Sequence, residues 1–108
     1  MNHGSILMAN TAKALFRGAA TTTTTTTLYT VPTSTTAVVT NIVVSNTGAS
    51  SYTFTLYLDD VLLANTVSIA ANSIAVFDLK QVLAAADTIK GGASNTAVTF
   101  HISGMEIA

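Results

Sequence analysis

From Leu28 to the C-terminus, short stretches of alternating apolar and polar residues are separated by turn signals. The clearest is Tyr52–Leu58, in which Tyr, Phe and Leu side chains alternate with Thr and Tyr. A period of two residues is typical of β-strands that bury one face. The predicted strands are Thr26–Val31, Thr36–Asn46, Tyr52–Leu58, Val61–Ala64, Thr66–Ala70, Ser73–Leu79, Asp87–Lys90 and Thr96–Ile107. About eight short strands indicate an all-β domain.

One stretch departs from this pattern. Leu79–Ala86 (LKQVLAAA) is the only segment with a plausible helical composition, and it is long enough for one or two turns. The single proline, Pro32, closes the first strand, since proline is excluded from a central β-ladder. A chain of 108 residues is the size of one domain. We therefore predict an antiparallel β-sandwich, jelly-roll or immunoglobulin-like, over residues 21–108.

The N-terminal residues differ from the rest of the chain. Residues 1–20 hold two of the four basic residues, and chain termini are poorly ordered unless the fold holds them. We expect residues 1–20 to form an extended N-terminal arm. Residues 1–7 are either native or an extension before a second start at Met8. Residues 21–27, seven consecutive threonines, favour an extended backbone and are predicted to lead into the first strand.

The arm also carries candidate docking residues. Leu15 and Phe16 lie between the cations Lys13 and Arg17. Large apolar groups next to arginine are common anchors at protein interfaces. We therefore expect this segment to dock on a partner surface, with an idle flexible tail as the alternative.

Charged residues are scarce, at 8% of the chain against about 25% in typical domains. The net charge is −1, and the few basic residues form no stripe that could displace counterions from phosphates, so we expect no nucleic-acid partner. No apolar run is long enough for a transmembrane helix, and we expect no membrane partner. A nearly neutral chain with 20 threonines suits a subunit held in an assembly. Apolar strand residues, among them Val39 and Val43, are the expected subunit interface.

Few residues suggest chemistry. Asp59 and Asp60 lie between two apolar stretches, where aspartate is a common turn former, although a calcium site is an alternative. His101, Ser103 and Asp87 could in principle form a nucleophilic triad, but no nucleophile elbow or oxyanion turn accompanies them. A surface or interface role for His101 is the simpler interpretation. The chain has no cysteine. We predict no catalytic residue, no metal site, no cofactor and no enzymatic activity.

Three tyrosines allow a different function. Tyr29, Tyr52 and Tyr57 could form a stacking platform for sugars, as in carbohydrate-binding modules. The chain has no tryptophan, the strongest stacking residue, and Tyr52 shares the predicted strand face of Phe54. Packing in the core or in an interface is therefore the favoured role of these side chains.

Several segments resemble small structural proteins of tailed bacteriophages, over about residues 9–108. They are MANTAKALFRGAA, LYTVPTSTTAVVTNIVVSNTGAS, YTFTLYLDDVLLA, SIAANSIAVFDLKQVLAAADTIKG and the ending AVTFHISGMEIA. The resemblance implies a virion component: a capsid decoration (cement) protein, a head fibre, or a tail or baseplate domain. Such decoration proteins are commonly β-sandwich trimers that use a terminal arm to grip the shell. The seven-threonine run and Asp59-Asp60, where relatives often have Asp-Gly, depart from the pattern.

From the resemblance we expect a homotrimer that binds the major capsid protein or another virion protein. Its location would be the capsid surface, after synthesis in the host cytoplasm. The resemblance implies no catalytic residue. The alternative expectation is a tail or head-fibre domain that binds host-surface carbohydrate.

Overall fold

The computed structural model describes residues 10–108, which form eight β-strands. The strands are β1 (Asn10–Ala19), β2 (Thr27–Thr30), β3 (Thr36–Asn46), β4 (Tyr52–Leu58), β5 (Val61–Ile69), β6 (Ser73–Leu83), β7 (Thr88–Ala93) and β8 (Val98–Ile107). They make two four-stranded sheets with the orders β1-β8-β3-β6 and β2-β7-β4-β5. Every pairing is antiparallel, and among the described strands consecutive ones alternate between the two sheets except at the β4–β5 hairpin. This is the jelly-roll form of the predicted β-sandwich.

The core lies between the two sheets. Its largest fully buried side chains include Phe54 from β4 and Phe100 from β8, whose rings meet edge to face with centroids 6.4 Å apart. Asn46, at the end of β3, is a buried polar residue with all its partners inside the fold. Its Nδ2 donates to the carbonyl oxygens of Ser50, Ile69 and Ala70, and its Oδ1 accepts from the N–H of Gly48. This side chain joins the β3–β4 and β5–β6 turns at one end of the sandwich.

The predicted helical stretch is a strand and a turn. Leu79–Leu83 continues β6, because Gln81 and Leu83 pair with the buried Val39 and Ala37 of β3. Residues 84–87 then form a turn in which the N–H of Ala84 donates to Asp87 Oδ2. Residues with high helix propensity thus follow the sheet, because tertiary pairing outweighs local propensity.

Half of the predicted N-terminal arm is a β-strand of the sandwich. Residues 10–19 are the edge strand β1, paired with β8 from Asn10↔Ile107 to Ala19↔Thr99. They therefore belong to the sandwich domain, and residues 1–9 lie outside the described residues. The predicted strand lead-in over the threonine run is irregular backbone. It crosses from one sheet to the other and lies on β7, where the N–H of Ala93 donates to the Thr21 carbonyl and that of Gly91 to the Thr26 carbonyl.

A β-bulge in the middle of β3 changes which side chains face the core. Asn41 pairs with Ser103 and Val39 with Gly104, so Thr40 is an extra residue relative to β8. One extra residue reverses the inward and outward alternation. Val39 and Ile42 consequently both point into the core, and Val43 points outward.

Candidate functional site

The two long edges of the sandwich differ sharply in how well they are closed. We call the edge where β1 meets β2 the closed seam. Here Leu15, Ala20 and Tyr29 are almost fully buried. Gly92 lets the threonine run lie directly on β7, since a Cβ at this position would overlap the carbonyl oxygen of Thr23. These side chains therefore leave little of their surface open to water at this edge.

A polar latch also holds the closed seam. The Tyr29 hydroxyl of one sheet donates to Glu106 Oε2 of the other at 2.5 Å, and Lys13 Nζ lies 3.2 Å from Glu106 Oε1. Burial, together with the bond to Glu106, raises the pKa of Tyr29 well above its ordinary range. The bond from Tyr29 is the main cause that lowers the pKa of Glu106, and Lys13 adds to it. Glu106 is therefore held as a carboxylate that joins three strands.

The opposite edge, between β5 and β6, is open. Val61 and Val67 of β5 lie across from the buried Leu58 and Phe54, so they point toward the space between the sheets. On β6, Phe77 lies across from the buried Ile42. Despite this inward direction, Val61 is 67%, Val67 38% and Phe77 37% exposed. We call the surface formed by Val61, Leu63, Val67, Phe77 and Gln81 the open seam.

Two grooves run along the open seam. One, of about 220 Å³, is lined by Leu56, Leu63, Ala64, Phe77, Asp78, Leu79 and Gln81. The other, of about 410 Å³, is lined by Leu58, Asp59, Val61, Leu62, Leu63, Gln81, Val82 and Leu83. The core residues Leu56, Leu58 and Leu83 form part of their lining. An apolar side chain entering either groove would thus contact the hydrophobic core.

The apolar surface continues around β6 onto the outer face of its sheet. Ile74, Val76 and Val82 are 59–70% exposed there. We call these three residues the outer patch. Leu62 of β5 is also about half exposed.

The open seam and the outer patch were not singled out from the sequence. The signal was present, since Val61-Leu62-Leu63 places three apolar residues in succession where a strand with one buried face would alternate.

The predicted docking residues occupy different environments on β1. Leu15 is buried in the core and Phe16 packs partly against it, so neither forms a free apolar anchor in this conformation. Lys13 is paired with Glu106. Arg17 is exposed and lies across from His101. The segment thus offers a partner two accessible cations, of which Lys13 is already paired with Glu106. Its apolar side chains close the sandwich to which β1 belongs.

The two predicted interface residues, Val39 and Val43, also lie in different environments. Val39 is fully buried in the core, so it is not accessible to another subunit; the bulge at Thr40 is the reason. Val43 is partly exposed on the outer face of its sheet and lies beside Val76 of the outer patch. Of the pair, Val43 alone lies on the protein surface.

The candidate catalytic and metal-binding residues are turn and surface groups. Asp59 and Asp60, with φ of 51° and 59°, are the two central residues of the β4–β5 hairpin, the backbone of a type I′ turn. Repulsion from Asp87 is the main cause that raises the pKa of Asp59. Asp60 forms an ion pair with Lys90, in which Oδ1 and Nζ lie 2.6 Å apart. Across residues 10–108, no group of three or more His, Asp or Glu side chains is placed to hold a metal ion.

The residues of the hypothetical triad have separate partners. The Asp87 carboxylate bonds within the β6–β7 turn, to the N–H of Ala84. His101 lies on the outer face of its sheet, with Nε2 3.4 Å from the Thr99 hydroxyl. The structure shows no hydrogen bond joining His101, Ser103 and Asp87.

The three tyrosines share no stacking face. Tyr29 is buried at the closed seam, where its hydroxyl bonds to Glu106. Tyr52 and Tyr57 are five residues apart in β4 and therefore point to opposite faces of the sheet. Tyr52 packs partly against the core.

The chain matches no known family model and no curated protein. In the part of the chain that the structure describes, no helix is long and apolar enough to span a membrane. The surface that stands out on physical grounds is the open seam with its outer patch.

Proposed function

We propose that this chain is a structural protein of a tailed-phage virion, a decoration protein that binds the outside of the head and stabilises the shell. The observation that carries the proposal is the large apolar surface along β5 and β6 on a chain with only 8% charged residues. Extended exposed apolar patches mark surfaces that function in contact with other proteins. The resemblance of residues 9–108 to phage structural proteins supports the same function from the sequence.

The jelly-roll topology is compatible with this role. Jelly rolls occur in viral capsid and lectin domains. Because one fold serves many functions, the topology supports the proposal by analogy alone. Lectin activity, the alternative function, lacks a platform of the kind first considered, because Tyr29 is buried and Tyr57 faces away from Tyr52.

The proposed mechanism is mechanical. Apolar area removed from water contributes roughly 25 cal/mol per Å². Contacts between neighbouring copies, and between each copy and the shell, would therefore hold shell subunits together against internal pressure. On the shell side we assign the contact to the exposed part of β1, where Arg17 is exposed and takes part in no ion pair within residues 10–108.

Binding to heads tests this function directly. Heads produced without this protein are mixed with the purified chain and sedimented, and the bound copies per head are counted. We expect saturable binding and a higher temperature of DNA release from the decorated heads. Failure of the wild-type chain to bind heads would overturn the proposed function.

A variant pair tests the assigned shell contact. Arg17→Gln removes this exposed cation of β1, and Thr33→Glu makes the same change of net charge at an exposed turn. We expect Arg17→Gln to weaken head binding by at least tenfold and Thr33→Glu to leave it unchanged. Equal binding by the two variants would refute the role of Arg17.

A further inference from the structure

We propose that the open seam, with the adjoining outer patch, is the surface through which copies of this chain bind one another. The inference rests on the proposed function of an assembling structural protein and deepens it by naming the contact. It replaces Val39, which is buried, as the source of apolar contact between subunits. The occupant of the seam is a second copy of the chain.

The closed seam provides an internal comparison. At that edge, inward-pointing side chains such as Leu15 and Tyr29 are less than 10% exposed. At the open seam, Val61 and Phe77 also point between the sheets but are 67% and 37% exposed. Both edges belong to one sandwich and one core. The difference indicates that the open seam is completed by atoms from outside residues 10–108.

The exposed apolar area matches what one partner contributes to a stable interface. The large exposed apolar side chains of the described residues all lie on β5 and β6: Val61, Leu62, Leu63, Val67, Ile74, Val76, Phe77 and Val82. All except Leu62 belong to the open seam and the outer patch; at 37–70% exposure these seven present roughly 700 Å², against about 800 Å² per partner in a standard interface. A small peptide or a single side chain would leave most of this area in water.

The charges at the rim favour a second copy over a strongly charged partner. Asp78 and Lys80 are both exposed on β6, next to the groove, and neither takes part in an ion pair within residues 10–108. The rim therefore carries one charge of each sign on β6, and Asp59 of the β4–β5 turn borders the second groove. Lys80 of one copy can pair with Asp78 of another, whereas an anionic surface would be repelled by Asp78.

The backbone of β5 favours side-chain packing over strand addition. Thr66 has a φ of 52°, and its N–H donates to the Thr55 hydroxyl at 3.1 Å. The register of β5 against β4 also shifts at two places. Kinks and bulges prevent an edge strand from pairing with another chain. Copies therefore meet through their apolar side chains, in a contact of limited extent.

The test begins with assembly in solution. Val61→Glu combined with Val82→Glu places charge at two of the most exposed seam and patch positions, where folding should be least affected. Thr22→Glu combined with Thr33→Glu is the charge-matched control, at two exposed positions away from the seam. Mass is measured by light scattering over a range of concentrations, and folding by circular dichroism. We expect the wild type and the control to assemble, trimers being the expected form, and the seam variant to associate at least tenfold more weakly.

A charge exchange tests the rim without adding or removing apolar groups. Asp78→Lys alone and Lys80→Asp alone should each weaken association, and the combined exchange should restore it, because the pair re-forms between copies. Assembly of the Val61/Val82 variant as strong as that of the control would overturn the proposal, as would absence of rescue in the exchange. A wild type that stays monomeric at high concentration would also overturn it. The head-binding assay tests the proposed function independently of this result, so the two failures can be distinguished.

Discussion

Tyr29→Phe is the sharpest test of how the closed seam is held. The change removes one hydroxyl, whose bond to Glu106 joins the two sheets, and leaves the aromatic ring in the core. Hydrogen bonds to charged groups contribute about 1.5–3 kcal/mol. Glu106 keeps its contact with Lys13 and some access to water, so the lower part of this range applies. We expect a loss of about 1.5–2 kcal/mol in the free energy of unfolding.

Urea unfolding at one fixed protein concentration measures this loss, because association would otherwise add to the apparent stability. The midpoint should fall by roughly 0.5–1 M with an unchanged slope. The pH dependence gives a second signature. Since the folded state lowers the pKa of Glu106, its contribution is present above the ordinary value of 4.5 and is lost as pH falls through the folded pKa. The stability difference between wild type and Tyr29→Phe should therefore shrink in acid.

Glu106→Gln is the matched control for that signature. It keeps an acceptor for the Tyr29 hydroxyl but cannot ionise, so adding Tyr29→Phe to it should give a difference that no longer depends on pH. Two results would refute the reasoning. One is an unchanged midpoint in Tyr29→Phe; the other is a stability difference that stays constant from pH 7 to pH 3.

Three further changes have defined outcomes. Ala86→Gly should raise the free energy of unfolding by about 0.5–1 kcal/mol in urea titrations, because Ala86 has a φ of 73°, a left-handed conformation that glycine adopts without strain. Gly104→Ala should lower it by more than about 2 kcal/mol, because the new Cβ would overlap the Val38 carbonyl oxygen, and a wild-type midpoint would contradict this. Asp59→Asn should raise thermal stability at pH 7, since repulsion from Asp87 raises the pKa of Asp59 and penalises its ionised form in the folded state; this gain should vanish in acid, where the wild-type carboxyl is protonated.

The sequence predicts strands well where alternation is regular and turn residues frame it. Tyr52–Leu58 and the Asp59-Asp60 turn are confirmed with their predicted bounds and role. The prediction of Val61–Ala64 and Thr66–Ala70 as separate strands was wrong. The two segments form the single strand β5, which passes through a left-handed Thr66, a conformation that β-branched residues rarely adopt.

Long-range pairing decides the features that alternation does not predict. Residues 10–19 were predicted to belong to an arm because chain termini are poorly ordered unless the fold holds them, yet β8 pairs with the backbone of this segment. Val39 was assigned to the subunit interface together with Val43, on the assumption of strict alternation. The extra residue at Thr40 places them on opposite faces, and it is a property of the pairing with β8 that has no sequence signature of its own. Whether β5 and β6 are edge strands also depends on strand order, so their exposure could not be derived from local sequence.

Strand order also explains why the large exposed apolar side chains of the described residues are concentrated at one edge of the sandwich. A jelly roll leaves four edge strands, two at each long edge of the sandwich. At one edge the threonine run and the Tyr29–Glu106 bond close the gap with groups from the chain itself. At the other, the chain places its large exposed apolar side chains next to a β5 backbone that is bulged and kinked. Exposed apolar side chains favour association, and an irregular edge opposes open-ended β-pairing. Together they favour an assembly that closes after a few copies over one that grows into a fibre.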